Sequence, residues 1–511
     1  MLPSLGGDWP SILLKLGVFY ILISQPAYIK YCSGIATFLY LLIANVFIPG
    51  FISPLAKIPN AHWSSAYTDT WIKLKEANGG TGLQDVLKAH KKYGPIVRVS
   101  PRTLSICSLD SLRQAYSGGF DKTTFYNEFT NYNVPNLVST IHNRPHSIQK
   151  RMISNVYSKS YIQKSEDFDT LSKVMLYDRL FPTLLAAART NDDVDAYGLN
   201  QALGADFMNA YLFGTRNGTN LIQDVVSRNE IILALKIKLR KTPKKVASNA
   251  MFDRHLLSMC EAAGGIAPPP YNIMTSLPST KAVVYGQIMS KLAKETLTSG
   301  IPPRLIAASE MMDQNIAAIE TFKVALTYTQ WELSRKPDLV TRLQAELSTL
   351  SPSLRYDPSA ATPPALPDPK DLDALPFLNA ILKEILRLYT PSPGMFPRAV
   401  PREGVVMDGR YIPGGTTVAA AAYCLHRNEA VYPEAENFMP ERWLAGNSNG
   451  VDGSPGGRTE QERWYWPFGS GGRMCIGSHF AIQGKCSLKP GVKLSSPVLC
   501  VAIEVTLLIS L

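Results

Sequence analysis

Paired cysteines are missing from this chain. Its 511 residues hold seven cysteines, Cys32, Cys107, Cys260, Cys424, Cys475, Cys486 and Cys500, an odd number at wide spacing with no CxxC pair. That pattern excludes a disulfide framework and a structural zinc site built on cysteine pairs. Charge is also scarce, at 18% Asp, Glu, Lys and Arg against about 25% in an average soluble domain. No internal repeat, heptad or acidic tract occurs, so fibrous, coiled-coil and disordered classes drop out. The phosphate-cradling GxxxxGK[ST] and the dinucleotide fingerprint GxGxxG are absent too, which excludes an internal nucleotide domain of either type.

What is present begins with one long uncharged stretch. No charged side chain lies between Lys30 and Lys57, and Tyr31 to Ile48 is apolar enough and long enough for a spanning helix. A shorter apolar run, Ser11 to Ser24, precedes it with Lys15 inside. Asp8 and the lack of a small-residue cleavage site argue for a retained anchor with one span rather than a signal peptide. Pro49, Pro54 and Pro59 are expected to stop the helix and stiffen its exit. Residues 1–60 therefore read as anchor and hinge, and the body as a tethered soluble domain.

The body reads as mainly helical with a small β component. Two β-rich runs flank Pro101-Arg102, and Asp408-Gly409 centres a second hairpin of the type I′ class. Arg304 to Lys336 contains neither glycine nor proline, room for a helix of about 45–50 Å. Pro337 and Pro376 each suit the first turn of a following helix. Proline-rich segments at 266–270, 352–369 and 447–457 read as surface loops. Six of the ten residues from Lys236 to Lys245 are basic, a solvated face or a contact with anionic lipid.

The strongest chemical signal is Phe468-Gly469-Ser470-Gly471-Gly472-Arg473-Met474-Cys475-Ile476-Gly477. A thiolate needs nearby positive charge or backbone N–H donors. Glycines let the backbone curl around the sulfur, and let a flat macrocycle approach without a Cβ in the way.

These residues resemble the heme-binding loop of the cytochrome P450 family, FxxGxRxCxG, at Phe468, Gly471, Arg473, Cys475 and Gly477. Three more segments follow the family's order. Glu384 and Arg387 form an ExxR pair on one helix face, Pro440-Glu441-Arg442-Trp443 resembles the segment whose arginine joins it, and Ala317-Ala318-Ile319-Glu320-Thr321 resembles the oxygen-activating centre of the long helix. The resemblance covers roughly residues 50 to 483.

The resemblance implies a mainly α fold with a small β lobe, the cytochrome P450 fold, behind a transmembrane helix. It implies heme b, with Cys475 as proximal iron ligand and Arg473 and Arg398 toward the propionates. Phe468 would pack beside the loop, and Glu384, Arg387 and Arg442 would form a structural triad. Thr321 would donate toward dioxygen, with Glu320 helping to deliver protons. Where the family offers Trp and Arg four residues apart to a propionate, this chain has His146 and Lys150. Ala318 replaces the usual glycine.

The expected activity is oxygen insertion into a lipophilic small molecule, with O2 and electrons from a separate NADPH-dependent reductase, in a fungal secondary metabolism. The +11 net charge is assigned to that reductase and a membrane surface rather than to nucleic acid. The anchor implies the endoplasmic reticulum, single-pass, with the catalytic domain in the cytosol. An isomerase or dehydratase that needs no O2, and a non-catalytic heme protein, are the competing readings. After Gln483 the sequence leaves the family pattern at Gly484-Lys485. The catalytic domain is thus read as 61–483 and the tail 484–511 as atypical, consistent with an unspliced intron boundary.

Overall fold

The computed structural model describes residues 27–78, 80–239, 245–271, 278–294, 300–352, 365–444 and 459–483. The apolar run Ser11 to Ser24, most of the basic stretch after Leu239, the loop 447–457 and the tail 484–511 lie outside these residues.

The N-terminal apolar segment is helical from Ala27 through Ile52. Its stretch Tyr31–Ile52 has a mean hydropathy of 2.1 with none of it buried against protein, so the helix is long and apolar enough to cross a membrane. Pro49 does not stop it, contrary to the expectation. From Ile43 to Ile52 the turns are widened, and Ser53 N–H reaches back five residues to Ile48 O at 2.8 Å. Widened turns of this kind absorb the missing proline donor. The helix ends instead at Ser53, whose hydroxyl caps the turn opened by Pro54.

Four helices matter for the site: α1 (Asn143–Ile153), α2 (Ala196–Phe213), α3 (Pro303–Ser334) and α4 (Pro376–Leu388). At 32 residues, α3 is about 48 Å long and runs through the main apolar core. That core gathers Leu203, Phe207 and Tyr211 of α2 with Met311, Phe322 and Leu326 of α3 and Phe480. Pro303, Pro337 and Pro376 each sit in a first helical turn, where a missing N–H costs nothing.

The β component is one mixed sheet and one hairpin. Strands β1 (Ile96–Ser100), β2 (Thr103–Ile106), β3 (Met395–Ala399) and β6 (Thr417–Ala421) lie in the order β1-β2-β6-β3. The turn between β1 and β2 is the one at Pro101-Arg102. β4 (Val405–Met407) and β5 (Arg410–Ile412) pair across Asp408-Gly409. Both turn residues have positive φ, 44° and 73°, as a type I′ turn requires. A second core cluster, with Ile96, Leu104, Val418, Tyr116 and Trp466, glues this sheet to the segment that leads into the Cys475 loop. The sheet thereby carries Arg398 of β3 to the edge of the site.

Candidate active site

The Cys475 loop is held by its own backbone. Cys475 N–H donates to Phe468 O at 2.9 Å, and Met474 N–H to Gly471 O at 3.1 Å. Gly471 has φ of +71°, and a Cβ there would come within 2.2 Å of Tyr116 O. No other residue fits. The half-buried Phe468 thus acts through its carbonyl.

Cys475 itself is exposed, yet it lies in a recess where surrounding protein desolvates it. That desolvation raises its thiol pKa, opposed by the Gly477 N–H and the Lys150 charge. Cys107 and Cys260, by contrast, are pushed up to about 12 by burial, and Cys424 well above its ordinary value. Among these, only Cys475 combines access with thiolate-favouring neighbours.

Around the recess the structure brings an unusual number of cations. Arg473 donates to Asn143 Oδ1 at 2.9 Å, Thr140 O at 2.8 Å and Ile141 O, with Asp121 3.6 Å away. Arg398 is buried, donates to Tyr126 Oη at 2.8 Å, and lies over the rings of Tyr116 and Tyr126. Lys150 of α1 reaches across to Gly472 O at 2.9 Å and Met474 O at 3.0 Å. It therefore clamps the loop itself. His146 is buried and held neutral, its pKa down to about 3 through desolvation and then the charges of Arg473, Lys122, Lys150 and Arg398.

Sequence reasoning missed Lys122. Its ammonium is buried, bonds Leu137 O at 3.2 Å and Val138 O at 2.5 Å, and is pulled down to about 7 by desolvation and then by Arg473 and Arg398. A lone lysine in a loop carries no sequence pattern that could have flagged it.

This donor set fits heme. Desolvation, and after it the charge of Arg398, lowers the pKa even of Arg473 to about 10, and Lys122 feels both arginines. Among the described residues the acid in ion-pair contact with them is Asp121 alone. Two propionate carboxylates supply the anions such a cluster lacks, and the accessible thiol beside them suits iron.

The core leaves one stripe of α3 open, and an acid on it, Asp313, is close enough to act electrostatically on Cys475. The helix is buried on most sides, but Asp313, Ala317, Glu320, Thr321 and Val324 are not, and Ala317 is exposed in mid-helix. At 100° per residue these positions share one side. The Thr321 hydroxyl makes no hydrogen bond among the described residues, whereas the Thr329 hydroxyl bonds back to Ala325 O at 2.7 Å in the ordinary way. Glu320 is turned to Lys323 Nζ at 2.6 Å and Gln201 Nε2 at 3.3 Å and is one-third exposed. The helix does not open at Thr321. It stays α-helical throughout, with Ala318, an excellent helix former, in place of glycine.

The triad is assembled as the pattern requires. Glu384 and Arg387 are fully buried. Arg387 forks onto Glu384 at 2.9 and 2.7 Å, and Arg442 reaches the same carboxylate at 3.1 Å. Trp443 Nε1 and Met439 N–H add bonds of 2.8 and 3.0 Å.

A second residue missed by the sequence reading ties this triad to the loop. His426 is fully buried; its Nδ1 meets Arg387 O at 3.1 Å, and its Nε2 accepts Trp466 N–H at 2.9 Å. The carbonyl requires a donor and the N–H an acceptor, which fixes the neutral Nδ1–H tautomer. Trp466 Nε1 then donates to Ser470 at 3.0 Å, inside the loop. Desolvation and Arg387 hold the His426 pKa at about 3. The unfolded chain binds this proton near 6.5, so stability falls as pH drops below about 6.5, at roughly 1.4 kcal/mol per unit until about pH 3. His426→Phe is expected to flatten that acid limb while costing about 1–3 kcal/mol for each bond left unpaired. Thermal melts across pH 4 to 7 check both; an acid limb unchanged in the variant refutes the assignment.

Comparison with known proteins agrees with this geometry. The profile of the cytochrome P450 family matches residues 304–484, which include α3, α4 and the Cys475 loop. A cytochrome P450 monooxygenase of Aspergillus niger, orf2, is 28% identical over 84% of this chain and 84% of its own. One of Aspergillus versicolor, avaI, is 26% identical over 80% of this chain and 96% of its own. A further Aspergillus niger monooxygenase, azaI, is 27% identical over 78% of this chain and 85% of its own.

Proposed function

We propose that the chain is a heme-thiolate monooxygenase of the cytochrome P450 family that inserts an oxygen atom from O2 into a lipophilic small molecule, a reading supported by its match to that family's profile and its similarity to the Aspergillus monooxygenases. One observation carries the reading: an accessible thiol with N–H and cationic support sits in a loop whose Arg473 belongs to a cluster of cations short of anionic partners.

In this reading Cys475 ligates heme b, Arg398 and Arg473 pair with its propionates, and His146 borders them with a single neutral N–H. When bound, the heme supplies oxygen activation, with electron density pushed from the thiolate. The protein's own residues do the rest. Lys150 fixes the loop carbonyls, so the sulfur keeps its direction. Gly477 N–H favours the charged sulfur. Thr321 Oγ1, with no bond to give up, holds a proton at the open face of α3. Glu320 lies one residue away and one-third in solvent, so it can pass protons inward once it leaves Lys323. The apolar core behind the stripe limits water.

Electrons come from an NADPH-dependent reductase. Arg144 and Arg151 are exposed on α1, the helix whose Lys150 touches the Cys475 loop, so a basic face there suits an acidic donor protein. The helix Tyr31–Ile52 would anchor the chain, single-pass, in the endoplasmic reticulum with residues 61–483 as the cytosolic catalytic domain. Kinship with Aspergillus enzymes supports a role in fungal secondary metabolism.

The test is the reduced carbon-monoxide difference spectrum of the full chain in microsomes, followed by product analysis with reductase and NADPH. A thiolate-type Soret band with oxygen-dependent product supports the proposal. A band with product in the absence of oxygen and reductant overturns it in favour of an isomerase or dehydratase. Thr321→Val, which keeps shape and removes the hydroxyl, should cut product formation about 10²-fold while oxygen consumption persists. Equal losses of both would assign Thr321 a packing role only.

A further inference from the structure

Glu310 is a buried acid on α3. Eleven residues place it about 16 Å along the helix axis from Thr321, remote from the oxygen chemistry. Its Oε2 accepts Leu137 N–H at 2.8 Å, and its Oε1 accepts Gln314 Nε2 at 2.9 Å. Gln314 is oriented in turn by the Tyr157 hydroxyl, which donates to its Oε1. Burial raises the Glu310 pKa against both bonds and against the charge of Lys122. An apolar side chain would fill this space at lower cost to the fold. What Glu310 holds gives it a use.

Leu137 belongs to a strap, Val134 to Ile141, that joins α3 to the Cys475 loop. At its first end Ser309 Oγ of α3 donates to Val134 O at 2.6 Å. In its middle, Glu310 takes the Leu137 N–H while Lys122 donates to Leu137 O at 3.2 Å and Val138 O at 2.5 Å. Its last end supplies Thr140 O and Ile141 O, the two carbonyls that Arg473 holds. The buried Asn136 stiffens the stretch between. Its Oδ1 accepts Val138 N–H at 3.0 Å and Ser139 N–H at 2.8 Å. Its carbonyl accepts Thr140 N–H at 3.0 Å and Thr140 Oγ1 at 2.8 Å. A turn bonded to its own asparagine in this way moves as one body, so the grip on Leu137 fixes where the two carbonyls lie.

Arg473 uses its Nε, Nη1 and Nη2 once each, on Asn143 Oδ1, Thr140 O and Ile141 O. One N–H then remains on each terminal nitrogen, the fork that a carboxylate takes. We infer that Glu310 is a positioning residue for the cofactor: by holding Leu137 it sets the strap, the strap sets Arg473, and Arg473 retains heme through a propionate. The inference rests on the reading of Arg473 as a propionate partner and extends the cofactor's support from the Cys475 loop to a carboxylate on α3.

The experiment uses the heme-loaded full chain and follows heme transfer to excess apomyoglobin, a readout independent of turnover. Glu310→Leu, which removes the acceptor and keeps the bulk, should lose heme about 10-fold faster than wild type, the factor worth one hydrogen bond. Glu310→Asp, one methylene too short to reach Leu137, carries the same expectation if the leucine variant fails to fold. Glu310→Gln, whose amide oxygen still accepts the Leu137 N–H, should stay within about threefold of wild type. Arg473→Gln should lose heme about 10-fold faster or more. Adding Glu310→Leu to it should change nothing further, because the strap then has no arginine to place. The inference is overturned by wild-type heme loss in the leucine or aspartate variant, by failure of glutamine to rescue, or by additive losses in the double variant. The two failures are distinct. Wild-type retention in Arg473→Gln sinks the propionate reading and the inference with it, whereas fast loss there beside slow loss in Glu310→Leu sinks the inference alone.

Discussion

Cys475→Ser is expected to give a folded protein whose reduced carbon-monoxide complex lacks the thiolate-type Soret band and whose product formation falls below detection. The loop does not depend on the sulfur for its shape. It rests on the Cys475 N–H bond to Phe468 O, on Gly471 against Tyr116, and on the Lys150 clamp, all of which serine retains. Cys475 is exposed and belongs to no core cluster, so the change in stability should stay within about 0.5 kcal/mol. What disappears is the thiolate, because a serine hydroxyl does not ionise in this setting. The other described cysteines of the body cannot substitute. Cys107, Cys260 and Cys424 all have thiols raised far from ionisation by burial, and none belongs to the loop. Optical spectra and a thermal melt on the same sample read both halves of this expectation. A surviving thiolate band would show that Cys475 is not the ligand.

The site was legible in sequence where chemistry demands fixed spacing. The Cys475 loop, the Glu384–Arg387 pair and Arg442 all come together as their patterns require, because each is a local turn or helix-face relation. Elements bounded by proline were legible for the same reason: φ near −65° and a missing donor leave few options, as at Pro337 and Pro376. Two kinds of fact stayed hidden. Pro49 sits inside a helix because the widened turns around it absorb its missing donor, a backbone adjustment that local rules do not see. Lys122 and His426 draw their meaning from partners far along the chain. Trp466 is 40 residues from His426, and Lys122 is tied to α3 only through Leu137, whose carbonyl it bonds and whose N–H reaches Glu310. Nothing in their immediate neighbours distinguishes them from a surface lysine or a loop histidine.

Arg387 offers the second large effect. Arg387→Met should cost about 3–5 kcal/mol, the usual consequence of deleting one member of a buried ion pair. Set against a total native stability of about 5–15 kcal/mol, that loss should leave little heme-loaded protein. The guanidinium does more than neutralise Glu384. It also donates to His426 O at 2.9 Å, Ala435 O at 2.7 Å and Asn437 O at 3.1 Å, and so gathers two stretches of backbone that sequence places far from α4. Lysine cannot rescue it, because one ammonium cannot fork onto a carboxylate and span three carbonyls at once. Arg387→Lys should therefore fail almost as badly as Arg387→Met. Arg442→Met should be milder, about 1–2 kcal/mol, since Glu384 keeps Arg387, Trp443 and the Met439 N–H. The order of heme content and melting temperature is thus wild type, Arg442→Met, then both Arg387 variants together. If Arg387→Lys matched wild type, charge alone would suffice. The fork that joins α4 to His426, and through Trp466 to the Cys475 loop, would then not be what holds the thiol in place.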